Sequence, residues 1–522
     1  MPALLAALDE SSTLTWADRA RILLALGSLS GRGEEPSDVL IARLTDNLRG
    51  QQDVVQVSAA FALALLQLRD SRCISPLLER KLLPGEGPAT VGACALALGL
   101  LRLTPRDPGH RRVVRHLRGQ AGEGMPDDCR ACILLAMGLT RDTTFLEDLH
   151  RVMRAGTATS EPPVPDQVLA AAVAAVGKIG EVHPGTVTRE TATLLGRLRN
   201  LASVYTRRSI AIACGQIGSR PGAMPSVRTV LFRLLQDLVN DEDATTRDYA
   251  VLSLGRLAAT STRSDRRRRA LAHLTRALAR DSEDRASVAL LALALFGRSS
   301  TSARGESEGV RTRLTRHLRD AEDVDSLFVR LAIIRERGVA RHVKRIRNLS
   351  PLVVALGVLG DRAAIPLLRR LVLDPSRSGR LRGYSALSLG LVGDRRAVSG
   401  AWVQPAGIQE PDFMVLGSIG AGLAGDDDAL PRLLRHLETD RLGWAASEIV
   451  VRSAGKLGDR RAIEPLVGIL RDRSAPGSLR SAAAIALADL FDRESPLLLT
   501  RVTKDLNYSA RPGAIRLLLE AF

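Results

Sequence analysis

The sequence predicts an all-α fold, an α-solenoid (superhelix) of about thirteen helical hairpins. Three observations predict it: a short phrase recurs along the chain, its spacing is nearly constant, and the residues around it have a helical period. The phrase is clearest as Ala-Leu-Gly-Val-Leu-Gly-Asp at 355–361. It returns as Ser-Leu-Gly-Leu-Val-Gly-Asp at 388–394 and Ser-Ala-Gly-Lys-Leu-Gly-Asp at 453–459. Earlier versions stand at 25–31, 175–181 and 213–219.

With the first Gly of the phrase as a marker, the equivalent positions are Gly27, Leu66, Gly99, Gly138, Gly177, Gly215, Gly255, Phe296, Gly357, Gly390, Gly422, Gly455 and Ala488. Early markers stand mostly near 39 residues apart and late ones near 33, with one interval of 61 before Gly357. Longer loops in the first part and one insertion account for that pattern. The chain therefore divides into N-terminal repeats at 1–296, an irregular basic insertion or degenerate repeat at 297–349, and C-terminal repeats at 350–522, all in one continuous solenoid. Gly297, Ser299, Ser300, Ser302, Gly305 and Gly309 suggest a loop where the insertion begins.

One late unit shows the parts of a repeat. Ile463, Leu466, Val467 and Leu470 follow the i, i+3, i+4, i+7 spacing of one helix face. Pro465 suits the first turn, where its missing N–H costs little. Arg471 to Ser478, with Pro476 and Gly477, reads as a turn, and Leu479, Ala483, Ala486, Leu487 and Leu490 form a second stripe. A lone hairpin cannot bury both stripes, whereas a stack of hairpins can.

The phrase itself then has separable roles. Its later Gly, as in Gly360, Gly393 and Gly458, is expected to end the second helix in the left-handed conformation. Asp361, Asp394 and Asp459 can cap the helix that follows. The earlier Gly lies inside the second helix at a cost of about 0.5 to 1 kcal/mol relative to Ala. Its recurrence implies that a neighbouring helix passes too close for a side chain; Ala488 fits this account and Leu66 and Phe296 do not.

On these residues the chain resembles short HEAT-like repeats of the phycobilisome-lyase type. The match rests on Gly458-Asp459-Arg460-Arg461-Ala462-Ile463-Glu464-Pro465-Leu466 with Leu479-Arg480-Ser481-Ala482-Ala483-Ala484-Ile485-Ala486-Leu487, and on Gly360-Asp361-Arg362-Ala363-Ala364-Ile365-Pro366-Leu367. The first 300 residues match mainly through the second helix, and 297–349 match poorly. The resemblance implies a right-handed, curved rod with second helices along its inner surface. It is specific for fold and unspecific for function, since some such proteins handle bilin pigments and others excise alkylated bases from DNA.

Composition bounds the function classes. Hydrophobic residues make up 45% of the 522 and aromatics only 3%, so the core is built from Leu, Ala, Val and Ile. No apolar run reaches the roughly 18 residues of a membrane span. Met1 to Glu10 lacks the basic start and longer apolar core of a secretion signal, and the expected location is cytoplasmic. Five scattered Cys give no disulfide framework, and Cys73 and Cys214 read as small core residues.

The net charge is +17, carried by 69 Arg and five Lys. Part of the excess has a fixed place in the repeat. Eight residues before the marker stand Arg19, Arg130, Arg207, Arg247, Arg382 and Arg480. The resemblance implies a structural ladder in which such arginines pair with acids of the inter-helix turn or of a neighbouring repeat, with Asp374 and Asp472 as partners of Arg382 and Arg480. Another part is concentrated between 261 and 350, where 20 Arg and one Lys face 11 acids. Arg266, Arg267, Arg268 and Arg269, and then Arg341, Lys344, Arg345 and Arg347, are the candidate contacts to an anion or partner. Phe296 and Phe328 are the aromatics there, which suits phosphate contact better than base stacking.

No constellation for catalysis, cofactor or metal emerges. The eight His lie in no metal-ligand pattern, and Cys129 and Cys132 form a Cys-x-x-Cys without a second pair. Neither a nucleotide-binding Gly-rich loop nor a nucleophile elbow occurs. Asp241-Glu242-Asp243 and Asp426-Asp427-Asp428 fall in inter-helix turns, where capping explains them. Trp16, Trp402 and Trp444 are scattered and read as local packing. The expectation is a scaffold or adaptor, not an enzyme, that binds another protein along the concave face. The alternative is nucleic-acid or anionic-surface binding through 261–350; a lyase or repair enzyme is more remote.

Overall fold

A computed structural model describes residues 2–9, 14–30, 36–50, 52–79, 87–122, 124–158, 163–201, 203–261, 263–280, 283–300, 350–360, 362–394, 410–426, 428–438 and 444–491. Among them the chain is all-helical, with 24 α-helices and no strand. Helices pack on neighbours one and two places along the sequence, and the fold is an α-solenoid, a helical repeat protein. The described residues fall into two compact units, one of 1–217, 222–230 and 460–522, the other of 218–221 and 231–459.

Thirteen second helices stand where the phrase places them, against eleven described first helices. This differs from thirteen full hairpins at two places, 301–349 and 395–409, which lie outside the described residues. In the second unit, Glu283–Ser300 packs directly on Ser350–Leu359, so the interval of 61 residues sits between two neighbouring second helices. Gly297, Ser299 and Ser300 belong to the end of the helix Glu283–Ser300 rather than to a loop. Ser302, Gly305 and Gly309 lie outside the described residues.

The repeating Gly does what its position predicts. A Cβ on Gly99 would lie 2.6 Å from the carbonyl oxygen of Ala136, and one on Gly255 the same distance from that of Ala292. The marker therefore abuts the following second helix, at the residue two before the next marker in most repeats: Ala136 before Gly138, Ala175 before Gly177, Ser388 before Gly390, whereas Gly422 meets the Lys456 and Leu457 backbone, just past Gly455. Applied to Gly27, which abuts Ala62, and to Gly255, this rule makes Ala64 and Ala294 the true equivalents. Leu66 and Phe296 were two residues out of register. Leu66 already caps the helix Asp53–Leu65, and the small residue needed at the close approach is present in both repeats.

The capping Gly residues Gly360, Gly393, Gly425 and Gly458 all have left-handed φ, between +67° and +83°. At the ends of second helices in the first unit, Gln67, Arg102 and Arg141 hold the same conformation. Ile463–Arg471 and Gly477–Phe491 form the hairpin expected around Pro476.

Candidate functional site

Each second helix has four sides, because successive residues turn by about 100°. The marker faces the following repeat, and the residue two before it faces the preceding one, as the Ser388 hydroxyl shows by donating to the Val353 carbonyl at 2.9 Å. The residue one before the marker is apolar and buried throughout, as Leu26, Leu98, Met137, Val176, Leu254, Leu356 and Leu389 illustrate. That is the side of the first helices. The residue one after the marker points the opposite way, to the fourth side, where a binding surface of the second helices must lie.

This fourth side differs between the units. In the first it is buried at Ser28, Leu65, Leu139, Lys178, Gln216 and Asp489, and half-buried at Leu100. Lys178 and Asp489 are 4% and 7% exposed, and each has an interaction partner. In the second unit Leu391 and Leu423 are 43% and 47% exposed. Arg256 is exposed too, and Val358 and Lys456 are half-buried. Leu391 and Leu423 lie on Gly379–Val392 and Pro411–Ala424, which approach so closely that Gly390 meets the Gly420 backbone. Two exposed leucines at equivalent positions on adjoining helices make an apolar strip. Sequence reasoning missed this strip, although the marker-plus-one register was the signal that finds it.

The basic run at 266–269 begins the helix Ser264–Arg280 and is divided in its roles. Arg266 is buried with its guanidinium over the Phe232 ring at 5.6 Å, and Arg267 lies over Phe296 at 4.9 Å. Those contacts are cation–π interactions between neighbouring elements. Arg268 and Arg269 are exposed. Arg341, Lys344, Arg345 and Arg347 lie outside the described residues, as do His317, His342, Trp402 and Phe328.

Three of the six arginines eight before the marker, Arg247, Arg382 and Arg480, reach the end of their own first helix or the turn that follows it. Arg382 Nε donates to the Val372 carbonyl at 3.1 Å, and Arg480 Nε donates to the Leu470 carbonyl at 3.1 Å. Both carbonyls belong to the last turn of a first helix, where a cation complements the helix dipole. Arg247 likewise donates to the Asp241 and Glu242 carbonyls in the turn after Pro225–Leu238. Arg382 also stacks on Phe413 and meets Glu410 of the next repeat at 3.5 Å. Asp374 and Asp472 accept from Ser376 and Ser474 in their own turns, which holds both carboxyls below the usual range. Arg480 contributes at a distance to the lowering at Asp472. Arg19 reaches Asn47 of the following hairpin, and Arg130 and Arg207 are half-buried at the same position.

Other arginines tie first helices together in the first unit. Arg43 pairs with Asp9, Arg72 with Asp38, Arg49 with Glu79, Arg118 with Asp148 and Arg154 with Glu190, at 2.9 to 3.3 Å. Each pair is substantially exposed and worth about 0 to 1 kcal/mol.

The five cysteines are buried and unpaired with one another. Burial pushes the Cys73 and Cys214 thiols up to about 12 and Cys129 to about 11, and raises Cys132 well above its ordinary value. The Cys129 thiol donates to the Pro88 carbonyl of the preceding second helix, so this half of the Cys-x-x-Cys serves a repeat junction. His110 and Asp142 meet at 2.7 Å. Burial opposes ionisation of Asp142, but hydrogen bonds from Thr144 and His110 outweigh it and keep the carboxyl low. Among the described residues no cluster of His, Cys, Asp and Glu could hold a metal ion, and no helix is long and apolar enough to cross a membrane.

No protein-family model matches the chain. No curated protein matches it either. Among solved structures, the crystal structure of an engineered protein from the Northeast Structural Genomics Consortium is 16% identical; the match covers 87% of this chain and 99% of that one, with a TM-score of 0.30. A likeness so loose carries no argument.

Proposed function

We propose that this chain is a HEAT-like scaffold or adaptor that binds another protein along the fourth side of the second helices in the unit 231–459. The supporting observation is the exposed pair Leu391 and Leu423 at equivalent repeat positions on adjoining helices. Apolar side chains held in register by a stiff stack give a partner several shallow contacts whose ordering cost is already met. The HEAT-like reading rests on the Gly-Asp-x-Arg-Ala pattern, now supported by the left-handed Gly and the close-packed Gly. Nucleic acid is the less favoured partner, because Arg266 and Arg267 are engaged with phenylalanine rings.

The test is affinity capture from native cells with wild type and with Leu391→Asp/Leu423→Asp, each with and without nuclease. Loss of a nuclease-resistant partner from a variant of unchanged helicity supports the proposal. Retention of every partner by that variant, or partners lost to nuclease and to Arg268→Glu/Arg269→Glu instead, overturns it.

A further inference from the structure

The first described hairpin, Pro2–Asp9 with Trp16–Ser30, packs on the last, Ile463–Arg471 with Gly477–Phe491, inside one compact unit. First helix lies on first helix and second on second, as in any pair of consecutive repeats. The polar contacts repeat the internal pattern. Nine residues before the marker, the Thr90 hydroxyl donates to Gln56, the Cys129 thiol to Pro88 and the Thr206 hydroxyl to Asp166, each on the preceding second helix. Asp18 holds that position before Gly27, and its Oδ1 accepts from the Ser481 hydroxyl at 2.8 Å. Arg21 Nη1 donates to both groups, at 3.3 and 3.4 Å. Thr15 donates to the other Asp18 oxygen at 2.7 Å, and Asp18 and Ser481 are buried. The hairpin at 463–491 thus packs on Pro2–Asp9 and Trp16–Ser30 as a preceding repeat packs on the next.

This junction differs from the internal ones in how it is held. Neighbouring hairpins elsewhere in this unit are joined by short connections, whereas Asp18 and Ser481 are 463 residues apart in sequence. No local tether enforces the contact, and its two faces are of the directional kind that repeats use to stack. We propose that these faces are a complementary head-to-tail pair, closed within one chain and open to exchange with a second copy of the chain. A second copy fits because it carries the same two faces; exchange keeps every buried contact, at a cost set by concentration rather than by chemistry. The inference is independent of the partner proposed above.

The 522-residue chain supplies the test. Asp18→Cys/Ser481→Cys in one chain forms an intramolecular disulfide under mild oxidation, since the native cysteines are buried; absence of that crosslink removes the junction and the proposal with it. Two separate variants then probe exchange. Ser481→Glu sets a second carboxylate against Asp18, and Asp18→Lys removes the hydroxyl's acceptor, so each weakens its own junction. Mixed, one chain's introduced ammonium meets the other's introduced carboxylate, while the reciprocal junction is wild type. Sedimentation of the mixture is expected to show about tenfold more dimer than either variant alone. Should either variant not fold, mixing Asp18→Cys chains with Ser481→Cys chains under oxidation gives a mixed disulfide dimer in the same way. A mixture that stays monomeric, or Asp18→Cys and Ser481→Cys chains that never cross-link between molecules, overturns the proposal.

Discussion

The two units are built from the same repeat and differ on one side of one helix. Both have a close-packed marker, an apolar residue before it, and an arginine that caps the first helix, as Arg480 does in one and Arg382 in the other. Past the marker they part: Leu139 is 2% exposed and Leu391 is 43% exposed, with leucine at the same repeat position in each. Residue type alone does not make a surface. What covers the position decides whether a leucine is core or contact.

The largest expected effect comes from a charge at that position. Leu139→Asp buries an unpaired carboxylate and is expected to destabilise by about 3 to 5 kcal/mol, whereas Leu391→Asp stays within about 0.5 kcal/mol of wild type. Urea unfolding at neutral pH measures both. Similar losses at the two sites would erase the distinction between the units.

The second effect tests the shared framework. Arg382→Ala and Arg480→Ala each remove a buried cation that satisfies a helix-end carbonyl, and each is expected to cost about 1.5 to 3 kcal/mol. The exposed Arg380, paired with Asp412 at 3.0 Å, is expected to cost about 0 to 1 kcal/mol on substitution by Ala. If Arg480→Ala proves neutral while Arg382→Ala does not, Phe413 and Glu410 carry the effect, and the carbonyl cap common to both units does not.

A third effect separates how the second helices end. Gly360, Gly393, Gly425 and Gly458 in the second unit meet the left-handed conformation without a Cβ clash, and Arg141 in the first unit meets it with one. Arg141→Gly is therefore expected to stabilise by about 0.4 to 1 kcal/mol, and Gly393→Ala to destabilise by about 1 kcal/mol or more. Thermal unfolding resolves both signs, and a destabilising Arg141→Gly would mean that the arginine's side-chain contacts outweigh its backbone strain.

Much of this framework was legible because it is local. The capping Gly, the proline in the first turn and the apolar stripes depend on residues within one or two turns of each other. The register at Ala64 and Ala294 was not, because Leu66 and Phe296 sit one half-turn further on and only the neighbouring helix shows which residue is approached. The partners of Arg118 and Arg154 were hidden for a similar reason, since Asp148 and Glu190 come from the following hairpin. The apolar strip at Leu391 and Leu423 needed one further fact, the exposure of a side that is buried in the other unit. The junction of Asp18 with Ser481 left no local trace in the sequence.

The smallest effect is one of pH, and each unit has its own version. His150 meets the Thr191 hydroxyl at 3.0 Å, and His273 meets Gln236 at 3.0 Å, each across two first helices. Burial lowers both below the ordinary 6.5. As pH falls through that value the unfolded chain gains a proton that the folded chain resists, so stability declines below about pH 6.5. At His150 the burial is opposed by Glu190 and Glu147, with Arg154 acting against them; at His273 it is reinforced by Arg276. Salt screens these charges and leaves burial in place. Raising salt is therefore expected to shrink the part of the pH dependence that His273→Gln removes and to enlarge the part that His150→Gln removes. Melting temperatures of the two variants and wild type, at about pH 7.5 and about pH 5.5 in low and high salt, read the difference. Equal responses to salt would leave burial as the sole cause in both units, and the neighbouring charges would have no share in setting either histidine.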